Sequence, residues 1–221
     1  MMESNYIKRK LQSSNYFTVS GIEVHIKVPV VSDFSVRSVV EKVIKTLPKH
    51  LLSNINKIML GQFEELNRRK IVAMYKDSTI FVTNIQKSEE DLLDDLIHEV
   101  AHSVEEIYGE YLYSDGEIER EFLHKRKSLW LELENRGFEM NLEKFLQSEY
   151  DEEFDMFLYK AVGYKLLSSI SSKHFYSPYA ATSLREYFAN GFEAFYMRED
   201  IDRIKKISPI LYYKIINIPE A

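Results

Sequence analysis

The chain has 221 residues, 45% of them hydrophobic and 13% aromatic, enough to build a packed core in one substantial domain or two small ones. Seven Gly and five Pro argue against a linker-rich or fibrous protein, and no run of about 18 uncharged apolar residues exists to span a bilayer. A formal net charge of -6 gives no basic footprint for a phosphate backbone, so no nucleic-acid partner is expected. The absence of cysteine rules out disulfides, thiolate metal ligands and a thiol nucleophile, and leaves His and carboxylates as the strong metal ligands.

Residues 1–20 read as a flexible polar leader. Lys8, Arg9 and Lys10 are followed by Leu11-Gln12-Ser13-Ser14-Asn15, with no apolar stretch of a secretory signal. The expected location is therefore cytoplasmic as written, or secreted if this is a mature form or one exported by another route. From Ile22 to Val30 β-branched residues alternate with polar ones, the pattern of a strand. Between Ser35 and Leu52 apolar residues recur at helical spacing (Val36, Val39, Val40, Val43, Ile44, Leu47) until Pro48 interrupts. Lys57–Leu60 reads as a short strand. Ile71–Tyr75 and Thr79–Thr83 read as a hairpin with the three-residue loop Lys76-Asp77-Ser78. Ser88-Glu89-Glu90-Asp91 then reads as a capping box that opens a helix with an apolar band at Leu92, Leu96, Ile97, Val100, Ala101 and Val104. Beyond Gly109 the expected elements are helices: Glu117–Glu134, Leu142–Glu149, Glu152–Ser169, Leu184–Met197, and a last one opened by Ser208-Pro209. Trp130 is read as a packing anchor. The class is α+β: a small N-terminal mixed sheet, one long helix and a mainly helical second half, with subdomains of about 21–109 and 110–221.

Inside the capped helix, residues 98–102 read His-Glu-Val-Ala-His. A helix stacks residues i and i+4 on one face, so His98 and His102 can hold one zinc ion while Glu99 reaches a water beside it. The plainer reading is a surface helix with two solvated or core-satisfied histidines. Zinc needs a further protein ligand, and the downstream helix offers carboxylates at Glu186 and Glu193.

Here the chain resembles a family. Glu186-Tyr187-Phe188-Ala189-Asn190-Gly191-Phe192 is similar to the run that begins with the third zinc ligand in the anthrax lethal factor catalytic domain and the Pro-Pro endopeptidases. Tyr179 stands seven residues before Glu186, the offset at which that family carries a transition-state-stabilising tyrosine. The resemblance implies a zincin-like fold from about Ile22 onward and a zinc endopeptidase with one Zn2+ per chain. Its ligands would be His98, His102 and Glu186, with Glu99 as general base and Tyr179 as oxyanion donor. The substrate would be a protein or peptide lying along an edge strand, Ile71–Tyr75, with Thr79–Thr83 inside the sheet. The oligomeric state is not legible in the sequence.

The chain departs from the family in two places. Asn190 replaces the second Glu of the run, and a long interval between His102 and Glu186 suggests a helical insertion at about 117–150. Other readings stay open at this stage. Glu186 follows Ser183 by three and fits a capping box, Glu193 is a rival ligand, and Tyr179 fits a packing role. Asp94 and Asp95 fit dipole compensation. His25, His50, His124 and His174 read as surface or core residues. The alternative function is a catalytically inactive lethal factor-like module that binds protein.

Overall fold

A computed structural model describes residues 15–197 and 201–220, which form two compact units, one up to Val104 and one from Glu105 onward. The first unit is built on a mixed five-stranded sheet of β1 (Tyr16–Val19), β2 (Ile22–Ile26), β3 (Lys57–Gly61), β4 (Ala73–Lys76) and β5 (Thr79–Thr83), in the order β1-β2-β3-β5-β4. The central β2-β3 and β3-β5 pairs are parallel, and both outer pairs are antiparallel hairpins. Alternation along the strands gives one buried face, Val24, Ile58, Leu60, Ile80 and Val82, each at most 3% exposed. The opposite face carries the register row His25, Met59, Phe81 and Met74, all half-buried.

Helices α1 (Val36–Thr46), α2 (Glu64–Arg69) and α3 (Glu89–Tyr113) complete this part of the chain. Ser35 caps α1, and Val36, Val39, Val40 and Val43 form its buried stripe. Pro48, which has no N–H to continue the helix, follows as expected, and Lys49–Leu52 form a short 3-10 turn. Ser88 caps α3 by accepting from the Asp91 N–H at 3.1 Å, and acidic residues fill the first turn.

Two expectations are corrected here. The polar leader ends earlier than residue 20: Tyr16–Val19 pair with β2 through a two-residue turn in which Ser20 (φ 49) and Gly21 (φ 89) are both left-handed, and Phe17 is buried. Residues 1–14 of that leader lie outside the described residues. The second hairpin also has two loop residues rather than three. Lys76 pairs with Thr79, while Asp77 (φ 49) and Ser78 (φ 56) make the same kind of turn. The sequence concealed it because neither turn residue is Gly.

The second unit is helical: the end of α3, then α4 (Glu117–Glu134), α5 (Leu142–Phe145), α6 (Glu152–Met156), α7 (Tyr164–Ser171), α8 (Leu184–Met197), α9 (Ile201–Ile207) and α10 (Pro209–Ile216). Its core is aromatic, with Phe122, Phe175 and Tyr187 in mutual contact at centroid separations of 5.5 to 6.2 Å. The helix expected over Glu152–Ser169 is broken. A π-helical turn, Phe157–Val162, ends at Gly163 (φ 78), a conformation that an L side chain rarely takes. Leu142–Glu149 shortens to the single turn of α5. At α10 Ser208 makes no side-chain cap; instead Glu121 of α4 accepts from the N–H groups of Ile210 and Leu211 at 2.9 and 3.2 Å. The unit boundary falls within α3, earlier than the expected break after Gly109. Among the described residues no helix is long and apolar enough to cross a membrane.

Candidate functional site

In the first unit the motif lies on α3, well inside the helix. Leu96, Ile97, Val100 and Ala101 are at most 1% exposed and fix the buried face. His98 and His102 are half-buried, with ring centroids 5.1 Å apart and planes at 78°. Glu99 is 6% exposed, so its carboxylate lies largely out of bulk water, where electrostatic interactions are stronger. Upstream, Asp95 accepts from the Gln86 amide at 2.8 Å, a bond that ties the loop before α3 to its second turn.

In the second unit Ser183 accepts from the Glu186 N–H at 3.2 Å and thereby caps α8. The cap thus uses the Glu186 backbone. Glu186 and Glu193 are both half-buried. Tyr179 opens a 3-10 turn, Tyr179–Ala181, and its carbonyl accepts from the Thr182 N–H at 3.0 Å and hydroxyl at 2.8 Å. Burial, then the negative charge of Glu186, hold its phenol protonated well above the ordinary range.

Asn190 is 8% exposed and bridges these parts. Its Nδ2 donates to the Glu186 carbonyl at 2.9 Å, and its Oδ1 accepts from the Ser177 hydroxyl at 2.5 Å. Ser177 in turn accepts from the Ala180 N–H at 3.2 Å. One amide therefore fastens the Tyr179 turn to the helix that carries Glu186.

Sequence reasoning missed the residues that hold this region. Glu105, 8% exposed on the final turns of α3, accepts from the Tyr113 hydroxyl and from Arg185 Nε at 3.3 Å. Its one signal is its place, three residues after His102. Arg126, 1% exposed, donates to the carbonyls of Lys144 (2.5 Å), Gln147 (2.9 Å) and Thr182 (3.4 Å) and lies 3.9 Å from the Phe154 ring centroid. Burial lowers its pKa to about 9, which still leaves it charged at neutral pH. No local pattern announces such a residue. Trp130, the expected anchor, donates to the Met140 carbonyl at 3.0 Å. Of the other histidines, His25 contacts Glu23 and His174 contacts Glu132, each at 3.2 Å.

No protein-family model, curated protein or solved structure matches the chain.

Proposed function

We propose that the protein is a zinc-dependent endopeptidase with a zincin-like catalytic fold, His98, His102 and Glu186 holding the metal. The observation that carries the reading is the α3 arrangement: two half-buried imidazoles a turn apart on one helix face, with a buried carboxylate at Glu99 beside them. In this reading Glu186 rather than Glu193 is the third ligand, because it opens the run that resembles the ligand segment of the zinc endopeptidases. Two neutral nitrogen donors and one carboxylate, with no thiolate in the chain, suit zinc.

Zinc supplies a Lewis acid that brings the pKa of a water towards about 7 and polarises a carbonyl. Glu99 takes the proton of the attacking water and delivers it to the leaving amine, which its removal from bulk solvent favours. Tyr179, kept protonated, donates to the carbonyl oxygen as negative charge develops there. The peptide lies along β4, which in this reading offers its edge to an extended backbone.

The test is elemental analysis together with cleavage of a peptide library. Wild type is expected to hold about one zinc per chain, and His98→Ala and Glu186→Ala to lose it. Glu99→Gln should keep the metal and lose about 10²–10⁴-fold in cleavage rate. Tyr179→Phe should lower kcat about 10²-fold with little change in KM. Zinc that survives Glu186→Ala would overturn the ligand set. A wild type without cleavage or zinc would turn the reading to a non-catalytic protein-binding module.

A further inference from the structure

Tyr179 opens a 3-10 turn of three residues, Tyr179–Ala181. Such a turn has poor hydrogen-bond geometry and little stability of its own, so its surroundings decide where the Tyr179 side chain points. Pro178 precedes it and offers no side-chain cap. The cap comes from one residue earlier, where Ser177 Oγ accepts from the Ala180 N–H at 3.2 Å. A hydroxyl can accept and donate at once, and Ser177 gives its proton to Asn190 Oδ1 at 2.5 Å.

Asn190 makes that bond directional. Its Nδ2 donates to the Glu186 carbonyl at 2.9 Å, which turns its Oδ1 towards Ser177 and makes α8 the fixed end. The helix is a firm base, since Phe188, Ala189 and Phe192 on either side of Asn190 are fully buried. On the far side of the turn, the Thr182 N–H and hydroxyl close on the Tyr179 carbonyl at 3.0 and 2.8 Å, and Arg126 donates to the Thr182 carbonyl at 3.4 Å. The peptide groups that follow Tyr179 are thus held from both directions, and the Ser177 hydroxyl is the joint to the helix that carries Glu186.

We propose that Ser177 and Asn190 are positioning residues for the reaction: the hydrogen bond between them aims the Tyr179 phenol at the carbonyl oxygen on which charge develops. The assignment rests on the peptidase reading. A displaced donor loses a contact made in the transition state and leaves ground-state binding as it was, so kcat is the constant that responds.

A kinetic cycle separates this role from a structural one. Ser177→Ala should lower kcat about tenfold with little change in KM and no loss of zinc, and Asn190→Ala should give about the same loss by removing the other end of the bond. Where one of the two folds poorly, the other carries the test. Ser177→Thr keeps the hydroxyl and should recover most of the rate. In a Tyr179→Phe background Ser177→Ala should lower kcat by less than about twofold, because the group that the bond aims is already gone. A further tenfold loss there, or a wild-type kcat in Ser177→Ala, overturns the proposal.

The aim of the phenol is also read without turnover. In protein labelled with 3-fluorotyrosine, the fluorine resonance of Tyr179 is the one that Tyr179→Phe removes. Ser177→Ala should shift or broaden it, and Ser177→Thr should restore it. A Tyr179 resonance identical in wild type and Ser177→Ala overturns the proposal. If the resonance moves while wild type cleaves nothing and holds no zinc, the enzymatic reading falls and the bond stands as the device that orients Tyr179. If cleavage occurs and kcat ignores Ser177, the positioning role falls and the peptidase stands.

Discussion

At the scale of single residues, Asn190 becomes intelligible through its two ends. The amide must accept from Ser177 and donate to the Glu186 carbonyl at once, and only a side chain with both a carbonyl oxygen and an NH₂ does so. A carboxylate of the same length would keep the first bond and set an oxygen against a carbonyl at the second. Asn190→Asp is therefore expected to cost about 1–3 kcal/mol, the penalty for a buried polar group that loses its partner, and urea denaturation measures it. The burden should ease on acidification, when the carboxyl regains a proton to donate. Its folded pKa would be raised, so the stability it contributes is present at low pH and lost as pH rises through that value. Equal loss at pH 4.5 and 7.5 would sink this account of the amide.

Among the elements, α8 and α10 pack tightly at Gly191. A Cβ built there would lie 2.3 Å from Leu211 Cδ2 and 3.1 Å from its Cγ, and Leu211 is 1% exposed and has no open side to swing into. Gly191→Ala should therefore destabilise by about 1–3 kcal/mol from overpacking, even though Ala is the better helix former by about 1 kcal/mol. In a Leu211→Ala background the sign should reverse, and a double-mutant cycle in urea reads that reversal directly. Gly191 was visible in the sequence only as a blemish in a helical pattern; its cause lies in another helix. The same division runs through the fold. Local signals made α1, α3 and α8 legible, because caps at Ser35, Ser88 and Ser183 and apolar spacing act within a few residues. The His98-Glu99-His102 spacing was legible for the same reason. Strand β1, four residues long after a polar stretch, was hidden, and so was the π-helical turn before Gly163. The clasp of Arg126 and the Glu105–Arg185 pair join residues tens of positions apart, and nothing nearby in the sequence encodes them.

For the molecule as a whole, the tyrosines set the alkaline limit of stability, and those with raised pKa belong to the second unit. Burial, reinforced by Glu121 at 2.7 Å, keeps the Tyr187 phenol protonated far above its ordinary value. Burial and Glu105 do the same for Tyr113, and burial alone pushes Tyr196 to about 12. In an unfolded chain these phenols ionise near 10. A folded pKa raised above the unfolded one contributes stability that is complete below about pH 10 and is lost as pH climbs towards the folded value, since the unfolded chain then binds fewer protons. Each such tyrosine should remove roughly 1.4 kcal/mol per pH unit over that interval. Absorbance at 295 nm follows the ionisation: of the 15 tyrosines, the exposed ones should titrate smoothly near pH 10, and the buried set should appear only in step with loss of the circular dichroism signal. In urea all should titrate together near pH 10. Tyr187→Phe should remove one proton from the coupled step, and also leave Glu121 with the two N–H groups of α10 and the charge of Lys125 to hold its own. Full ionisation in a chain that remains folded would mean that these phenols are open to solvent and that the aromatic core is not closed around them.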